Sequence, residues 1–217
     1  SSIGVIGMNE AGLNAQWLKA GLESEETKKF AVSVLNHMRE KLIGYQMEYG
    51  NLYGLEATPA ESATFRFARL DRERFSGIRT AGHEGDTPYY TNSTKLPADY
   101  DGTLQGALIN QDSLQPLYTT GTVFHVYMER ELEDWKKARD LLSSMITEHH
   151  IPCFTLSPVY TICQTCGYLP GRQERCPKCN GAADVYSRIA GYYRPVHDWN
   201  DGKAQEFRNR IMFRIGE

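Results

Sequence analysis

Four cysteines carry the clearest chemical signal in the chain. Cys163, Cys166, Cys176 and Cys179 form two C-x-x-C pairs within CQTCGYLPGRQERCPKC, with nine residues between the pairs. Two such pairs can face each other across a hairpin and offer four thiolates to a tetrahedral ion. Because four protein ligands leave no open coordination position, the spacing predicts a structural zinc site that does no chemistry itself.

Two disulfides or a thioredoxin-like redox pair are the alternatives for these cysteines. Disulfides are typical of secreted chains, which this composition does not resemble, and a redox motif needs one C-x-x-C at a helix start rather than two. The fifth cysteine, Cys153, stands in the strand-like run IPCFTL. It is predicted to be a small buried hydrophobic residue.

A second candidate site is LEATPAESATFR, residues 55–66. One interpretation is a capping box, with Thr58 as the N-cap, Pro59 at the first helical position and Glu61 three residues after the cap. The other is a phosphate cradle, in which the Thr58 and Ser62 hydroxyls lie beside free N–H groups at a helix start. Pro59 removes a donor and Glu61 adds a repelling charge, so the residues alone favour the cap.

Three polar residues lie at the end of a strand-like run or within one. Asn9 and Glu10 follow the first such run. They either project from a strand end, where α/β folds gather their sites, or cap the next short helix, and the residues leave both interpretations open. His125 lies within an apolar run and is predicted to be a hydrogen-bonded core histidine.

One glycine is ambiguous on its own. Gly191 lies in SRIAGYYRPVHDWNDGK, residues 187–203, between a strand-like run and an aromatic loop that contains proline. Taken alone, these residues predict an ordinary turn glycine.

The composition narrows the function classes. The 217 residues are 41% hydrophobic and 24% charged, which is typical of a globular chain. No apolar run approaches the roughly 20 residues of a membrane span. The net charge of −3 gives no support to nucleic-acid binding, which usually needs a basic face. We therefore expect a cytoplasmic protein that binds neither membrane nor nucleic acid.

Hydrophobic periodicity predicts the elements that position these residues. Helices are expected over 24–49 and about 59–74, and a strand, a helix and a strand over 122–128, 131–150 and 151–157. The strand–helix–strand order indicates an α/β fold with a crossover. The stripes expected to be buried are Phe30, Val34, Met38, Leu42, Tyr45 and Tyr49 on the first helix, and Trp135, Ala138, Leu142 and Met145 on the third. Residues 77–102 are expected to form a long ordered loop.

Seven segments together resemble one known family. They match, in order and nearly end to end, the C-terminal portion of the anaerobic (class III) ribonucleoside-triphosphate reductases. The segments are IGVIGMNE, EATPAES followed by FARLDRERF, YYTNSTKLP, QPLYTTGTVFH, SPVYTICQTCGYLPG with CPKC, and YSRIAGYYRPVHDWNDGKAQEFRNR. The most specific part is the cysteine cluster followed by RIAGYY.

The resemblance implies a fold and a radical. Residues 1–157 would be the C-terminal part of a ten-stranded glycyl-radical-enzyme α/β barrel, and residues 158–217 a small zinc-ribbon and glycyl radical loop domain. Gly191 matches the glycine on whose Cα the family stores a radical, installed by a radical-SAM activase that carries an iron-sulfur cluster. Because glycine has no β-carbon, this backbone tip could enter a narrow barrel where a side chain would collide. The aromatic loop around Gly191 would shield the radical from solvent and oxygen.

The resemblance also implies substrate contacts. Backbone donors near Ala60, Glu61 and Ser62, with the Thr58 and Ser62 hydroxyls, would hold the triphosphate of a ribonucleoside triphosphate. Asn9 and Glu10 match a position that faces the sugar, where either could bind ribose hydroxyls or help to deliver reducing equivalents. The YYTNST loop matches without an assigned role.

The family's thiyl cysteine should lie upstream of the present sequence. The chain starts without methionine, directly in a strand pattern, so we expect a C-terminal part whose partner is the N-terminal part of the barrel. The family is homodimeric, which implies a homodimer here. Two rival hypotheses are a zinc-ribbon binding module and a stand-alone spare subunit that carries the radical for a damaged partner.

Overall fold

The computed structural model of the protein describes residues 1–215. It contains two parallel strand pairs, one four-stranded antiparallel sheet, six α-helices and two short 3-10 helices within that range. The elements in chain order are β1 Ser2–Gly4, α1 Met8–Asn14, α2 Glu25–Tyr49, β2 Gly54–Glu56, α3 Glu61–Arg74, α4 Leu104–Asp112, β3 Phe124–Met128, α5 Trp135–Glu148, β4 Phe154–Pro158, β5 Tyr160–Cys163, β6 Gly167–Pro170, β7 Ala183–Arg188, β8 Tyr193–Pro195 and α6 Asp201–Asn209.

The β3–β4 pair confirms the expected strand–helix–strand unit, and β1 and β2 form a second parallel pair. β1 pairs with β2 after the crossover through α1 and α2, and β3 pairs with β4 after the crossover through α5. A parallel bridge from Glu56 to Gly121 continues the first pair toward the segment that leads into β3. The chain is therefore of mixed α/β class, and its parallel strands need the helical crossovers because a hairpin cannot join them.

Helix α2 begins and ends where its sequence predicts. The Ser24 hydroxyl accepts a hydrogen bond from the Thr27 N–H at 3.2 Å, and Gly50 ends the helix with φ 68°. Such an N-cap and a left-handed glycine satisfy backbone groups that the helix leaves free. The bounds of this helix are confirmed.

The buried faces of α2 and α5 differ from the predicted stripes. On α2 the fully buried residues are Thr27, Ala31, Leu35 and Leu42, whereas the predicted Tyr45 and Tyr49 are exposed. Tyr45 instead packs against Tyr49 and Tyr53 at the surface, with ring centroids 6.1 and 6.3 Å away. On α5 Met145 is buried as predicted, but Trp135 is 67% exposed beneath the Arg139 guanidinium. The predicted Phe30, Val34 and Met38 are half-buried and pack against the core, whereas Tyr45, Tyr49 and Trp135 contact other rings or a cation at the surface.

The predicted cap of α3 is wrong. The residue at the N-cap position is Ala60, and no side chain caps the helix. Thr58 lies two residues earlier, where its hydroxyl reaches the Glu56 carbonyl at 3.5 Å and packs against Gly4. Because Thr58 is held by the β1–β2 pair, α3 begins later than the sequence pattern predicts.

The antiparallel sheet has the strand order β6-β5-β7-β8 and carries one tyrosine on each strand. Tyr160 on β5 lies 5.3 Å from the Tyr186 ring, 5.7 Å from Tyr168 and 5.3 Å from Tyr193. Stacked rings of this kind bury large apolar areas and add about 0.5–1.5 kcal/mol per pair. They stabilise one face of a sheet that is too small for a conventional core.

The boundary predicted between residues 157 and 158 stays a prediction. β4 runs through Pro158, and the Phe213 N–H donates to the Tyr127 carbonyl at 2.8 Å, which brings the end of the chain back to β3. None of the described helices has the length and hydropathy needed to cross a lipid bilayer.

Helix α6 packs closely on α3, which gives a test of this contact. A Cβ placed on Gly202 would lie 2.6 Å from the Phe65 Cβ, whereas one placed on Gly44 in α2 meets nothing within 4 Å. We expect Gly202→Ala to lower the free energy of unfolding by about 1–3 kcal/mol through overpacking. Gly44→Ala should raise it by up to about 1 kcal/mol, because alanine favours the helix. Urea unfolding followed by circular dichroism measures both, and a stabilised Gly202→Ala variant would contradict the packing.

Candidate functional site

The four cysteines of the paired motifs meet at one point. Their sulfur atoms all lie within 4.8 Å of one another, and the Sγ atoms of Cys163 and Cys179 are 3.6 Å apart. Two sulfurs that each lie 2.3 Å from a tetrahedral ion are about 3.8 Å apart, so the spacing fits a four-thiolate metal site. None of the five cysteines forms a disulfide. A metal such as zinc fits this cluster.

Two hairpins bring the cysteines together. Cys163 ends β5 and pairs with Gly167 at the start of β6, where the glycine has φ 77°. The second pair lies in the turn before β7, where the Cys176 N–H donates to the Gly181 carbonyl and Asn180 has φ 57°. Both turns need left-handed backbone, which glycine and asparagine adopt most readily.

Backbone donors prepare one of these thiols to ionise. Burial raises the pKa of Cys176, but hydrogen bonds from the backbone N–H groups of Cys179 and Lys178 outweigh burial and lower that pKa to about 6. The thiolate is the form that binds a metal. The prediction for Cys153 is wrong, because this residue is exposed and lies one position before β4.

Gly191 lies in the connection between β7 and β8 of the same sheet. It is exposed, its φ is not in the left-handed region, and a Cβ placed on it meets nothing within 4 Å. A turn does not require glycine here for either strain or space. The expectation that the neighbouring aromatic residues shield Gly191 is wrong for this chain, because Tyr192 is itself 51% exposed.

Two interactions fix the position of the Gly191 connection. Arg188 at the end of β7 donates from Nη1 to the Gly191 carbonyl at 2.7 Å and from Nε to the Ser157 hydroxyl at 3.0 Å. The Tyr192 hydroxyl donates to Glu61 Oε2 at 3.4 Å. The glycine connection is therefore held against both β4 and the first turn of α3.

The predicted phosphate residues lie at this first turn. Asn200, the N-cap of α6, donates to the Glu61 carbonyl at 3.2 Å, and Ser62 is exposed. With no side chain at the cap, the N–H groups at the start of α3 have no capping partner. The structure therefore brings Glu61 and Ser62 next to the Gly191 connection, while Thr58 contacts the β1–β2 pair.

Asn9 and Glu10 are buried in the first turn of α1 and neither caps the helix. Asn9 Oδ1 accepts from the Leu22 N–H at 2.9 Å. Glu10 accepts from the Thr91 N–H at 3.0 Å and from the Thr91 hydroxyl at 2.7 Å, and burial raises the pKa of this carboxyl. Both side chains anchor neighbouring segments, and their contact with a ribose stays a prediction.

The YYTNST loop is ordered by buried hydrogen bonds. Ser93 and Thr94 contact the Tyr118 hydroxyl at 2.6 and 2.7 Å, and Thr91 contacts Glu10 as above. Nearby, His125 forms a 2.8 Å hydrogen bond with the Thr155 hydroxyl, and burial lowers the pKa of its imidazole to about 2. His125 is hydrogen-bonded as predicted, but it is half-buried and does not lie in the core.

Sequence reasoning missed a buried charged cluster beside this loop. Lys203 is 0% exposed and its Nζ lies 3.3 Å from Asn92 Oδ1. Glu206 pairs with Lys203 and with Arg210, whose Nη2 lies 3.0 Å from its carboxylate. Oppositely charged residues spaced three and four apart, as Lys203, Glu206 and Arg210 are, more often form ion pairs on a solvent-exposed helix face. Only the packing of the folded chain reveals that these three side chains point inward.

Known proteins resemble this chain over nearly its whole length. The family model of the anaerobic ribonucleoside-triphosphate reductases matches residues 1–213. The reductase of that name from Haemophilus influenzae is 25% identical over 222 aligned residues, which cover 97% of this chain and 31% of the relative. The Escherichia coli protein is 23% identical over 97% of this chain and 30% of its own length. The chain thus spans about a third of these relatives.

Solved structures share the fold. An anaerobic ribonucleotide reductase superposes with a TM-score of 0.76 at 22% identity, covering 98% of this chain and 34% of that one. The Thermotoga maritima enzyme in complex with dATP and CTP gives a TM-score of 0.73 at 23% identity, with 95% and 33% covered. With the match of the family model over residues 1–213, the chain belongs to the anaerobic ribonucleoside-triphosphate reductase family.

Proposed function

We propose that the protein is the C-terminal part of an oxygen-sensitive glycyl radical enzyme that reduces ribonucleoside triphosphates to 2'-deoxyribonucleoside triphosphates. The observation that carries this proposal is the geometry of Gly191. A glycine that neither strain nor space requires lies exposed between β7 and β8, held in place by Arg188 and Tyr192. It belongs to the sheet that the four cysteines close.

The geometry of Gly191 suits a backbone radical. Removal of one hydrogen atom from its Cα by a radical-SAM activase leaves an unpaired electron that both flanking amides can delocalise. An exposed Cα can be reached by that activase, and the Arg188 guanidinium holds the adjoining carbonyl. We propose that the four cysteines bind one structural zinc ion, which fixes the sheet without taking part in the chemistry.

The first turn of α3 supports a substrate role. Uncapped N–H groups at a helix start attract anions, and Ser62 adds an exposed hydroxyl. We propose that Ala60, Glu61 and Ser62, with Thr58 nearby, hold the triphosphate, and that Asn9 and Glu10 contact the ribose. The 3.4 Å contact between Tyr192 and Glu61 links this segment to the proposed radical site.

The remaining chemistry requires a cysteine outside this sequence. Four cysteines are committed to one cluster, and Cys153 is exposed before β4. We propose that a cysteine in the N-terminal part of the barrel gives its thiol hydrogen atom to the Gly191 radical. The thiyl radical so formed abstracts the 3' hydrogen atom, the 2' hydroxyl leaves as water, and formate or a thiol protein supplies the two electrons for the reduction. The N-terminal part would cover Gly191 and the exposed apolar residues Ile43, Met47 and Leu52 of α2 and the segment after it. The whole enzyme would be a homodimer.

Electron paramagnetic resonance tests the radical assignment. After anaerobic activation by the radical-SAM activase, we expect a doublet that is absent from Gly191→Ala. Because the Gly191 site has room for a methyl group and no left-handed backbone, the substitution should change the free energy of unfolding by less than about 1 kcal/mol. Loss of the signal would then report on the radical and not on folding.

A matched glycine controls this experiment. Gly121 also has open space around its Cα, so Gly121→Ala should keep the full doublet. A doublet of wild-type intensity in Gly191→Ala would overturn the assignment. Absence of a doublet from the wild type would also overturn it, if the activase generates a radical in a known glycyl radical enzyme under the same conditions.

Metal analysis tests the cysteine cluster separately. We expect about one zinc per chain, and we expect chelation to abolish the folded signal of β5 to β8, because the four sulfurs would lose their common partner. Cys163→Ser should lower the zinc content and the folded signal, whereas Cys153→Ser should change neither. A metal-free protein with its tyrosine sheet intact by near-ultraviolet circular dichroism would contradict this prediction.

A further inference from the structure

A cavity of about 110 Å³ lies between the YYTNST loop and the strand that leads to Gly191. Its wall includes Pro59, just before α3, and Ala190, just before Gly191. Polar side chains from several elements line it, namely Lys95, Gln111, His125, Glu206 and Arg210. The volume has room for a group of about five non-hydrogen atoms.

Positive charge around this cavity exceeds negative charge. Lys203 and Arg210 repel the Lys95 ammonium, and Glu206 attracts it. The His125 imidazole is acted on by Lys95, Arg188 and Arg210, all of them cations. Among residues 1–215, four cations and one carboxylate therefore act on these two groups. Lys203 and Arg210 are buried, whereas Lys95 and Arg188 are half-buried.

Lys95 is the unpaired member of this set. Lys203 is held by Asn92 and Glu206, and the Arg210 guanidinium contacts Glu206 and the Ser187 hydroxyl and stacks 3.8 Å from the Tyr127 ring centre. In the described part of the chain, no side chain or carbonyl hydrogen-bonds to the Lys95 ammonium. Burial lowers the pKa of this group to about 8, which leaves it mostly charged at neutral pH.

We propose that this cavity binds one small oxyanion, a phosphate or a group of the same size and charge, with Lys95 as its direct partner and Arg210 at its wall. An anion there offsets the surplus of positive charge and gives the Lys95 ammonium its missing acceptor. Inorganic phosphate and the terminal phosphate of a nucleoside triphosphate share this chemistry. The proposal depends on the charges around the cavity and not on the radical chemistry of Gly191.

Calorimetric titration with inorganic phosphate at constant ionic strength tests the site. We expect the wild-type protein to bind one phosphate, and Lys95→Met to bind it at least about tenfold more weakly, because one charge-assisted hydrogen bond is lost. Lys95→Arg keeps the charge and should retain binding. Lys41→Met, which removes an exposed lysine of α2, is the matched control and should bind as the wild type does.

Titration with CTP, with cytidine as the control that carries no phosphate, identifies the source of the anion. Competition between CTP and phosphate that depends on Lys95 assigns the site to the nucleotide's own phosphate. Phosphate binding that CTP leaves unchanged assigns it to a free oxyanion, and either result supports the site. Absence of phosphate binding to the wild type, or equal binding by folded Lys95→Met, would overturn the proposal. If Lys95→Met does not fold by circular dichroism, Lys95→Gln takes its place.

Discussion

The convergence of four sulfur atoms within 4.8 Å is the constraint on which the second half of the chain depends. The sheet β5 to β8 buries few apolar side chains of its own, among them Leu169 of β6 beside the cysteines. The neighbouring buried cluster is formed by residues outside its strands, namely Val159, Ile189, Trp199 and Phe207. A sheet of four short strands with so small a core is marginal in water. The proposed metal ion would join both turns and so hold β5 and β7 together at the end that carries the cysteines, and β7 leads directly to Gly191.

A second set of contacts joins this sheet to the parallel strands. Arg188 connects the Gly191 carbonyl to Ser157 on β4, and Tyr192 and Asn200 both reach Glu61 at the start of α3. These polar contacts join the β5–β8 sheet to β4 and to the start of α3, close to the glycine. The position of Gly191 is therefore coupled to the segment proposed to hold the triphosphate. The charged cavity beside Ala190 lies behind the same connection.

The sequence predicted the features that depend on local spacing. The paired C-x-x-C motifs, the helix predicted over 24–49 and the crossover through α5 each follow from residues close in the chain. Features that depend on distant partners were missed. Thr58 does not cap α3 because it packs on Gly4. The buried Lys203 contacts Asn92 of the distant YYTNST loop as well as Glu206 of its own helix. The residue pattern of that helix alone does not indicate that Lys203 is buried.

The central claim is that the metal-closed sheet holds Gly191 in the geometry that accepts and keeps a radical. Counting spins per chain by electron paramagnetic resonance, in activated samples of graded zinc content, tests this claim most directly. The account predicts that spin yield falls in proportion to zinc, while the helical signal from α2 and its neighbours persists. Full spin yield in zinc-free protein would contradict it.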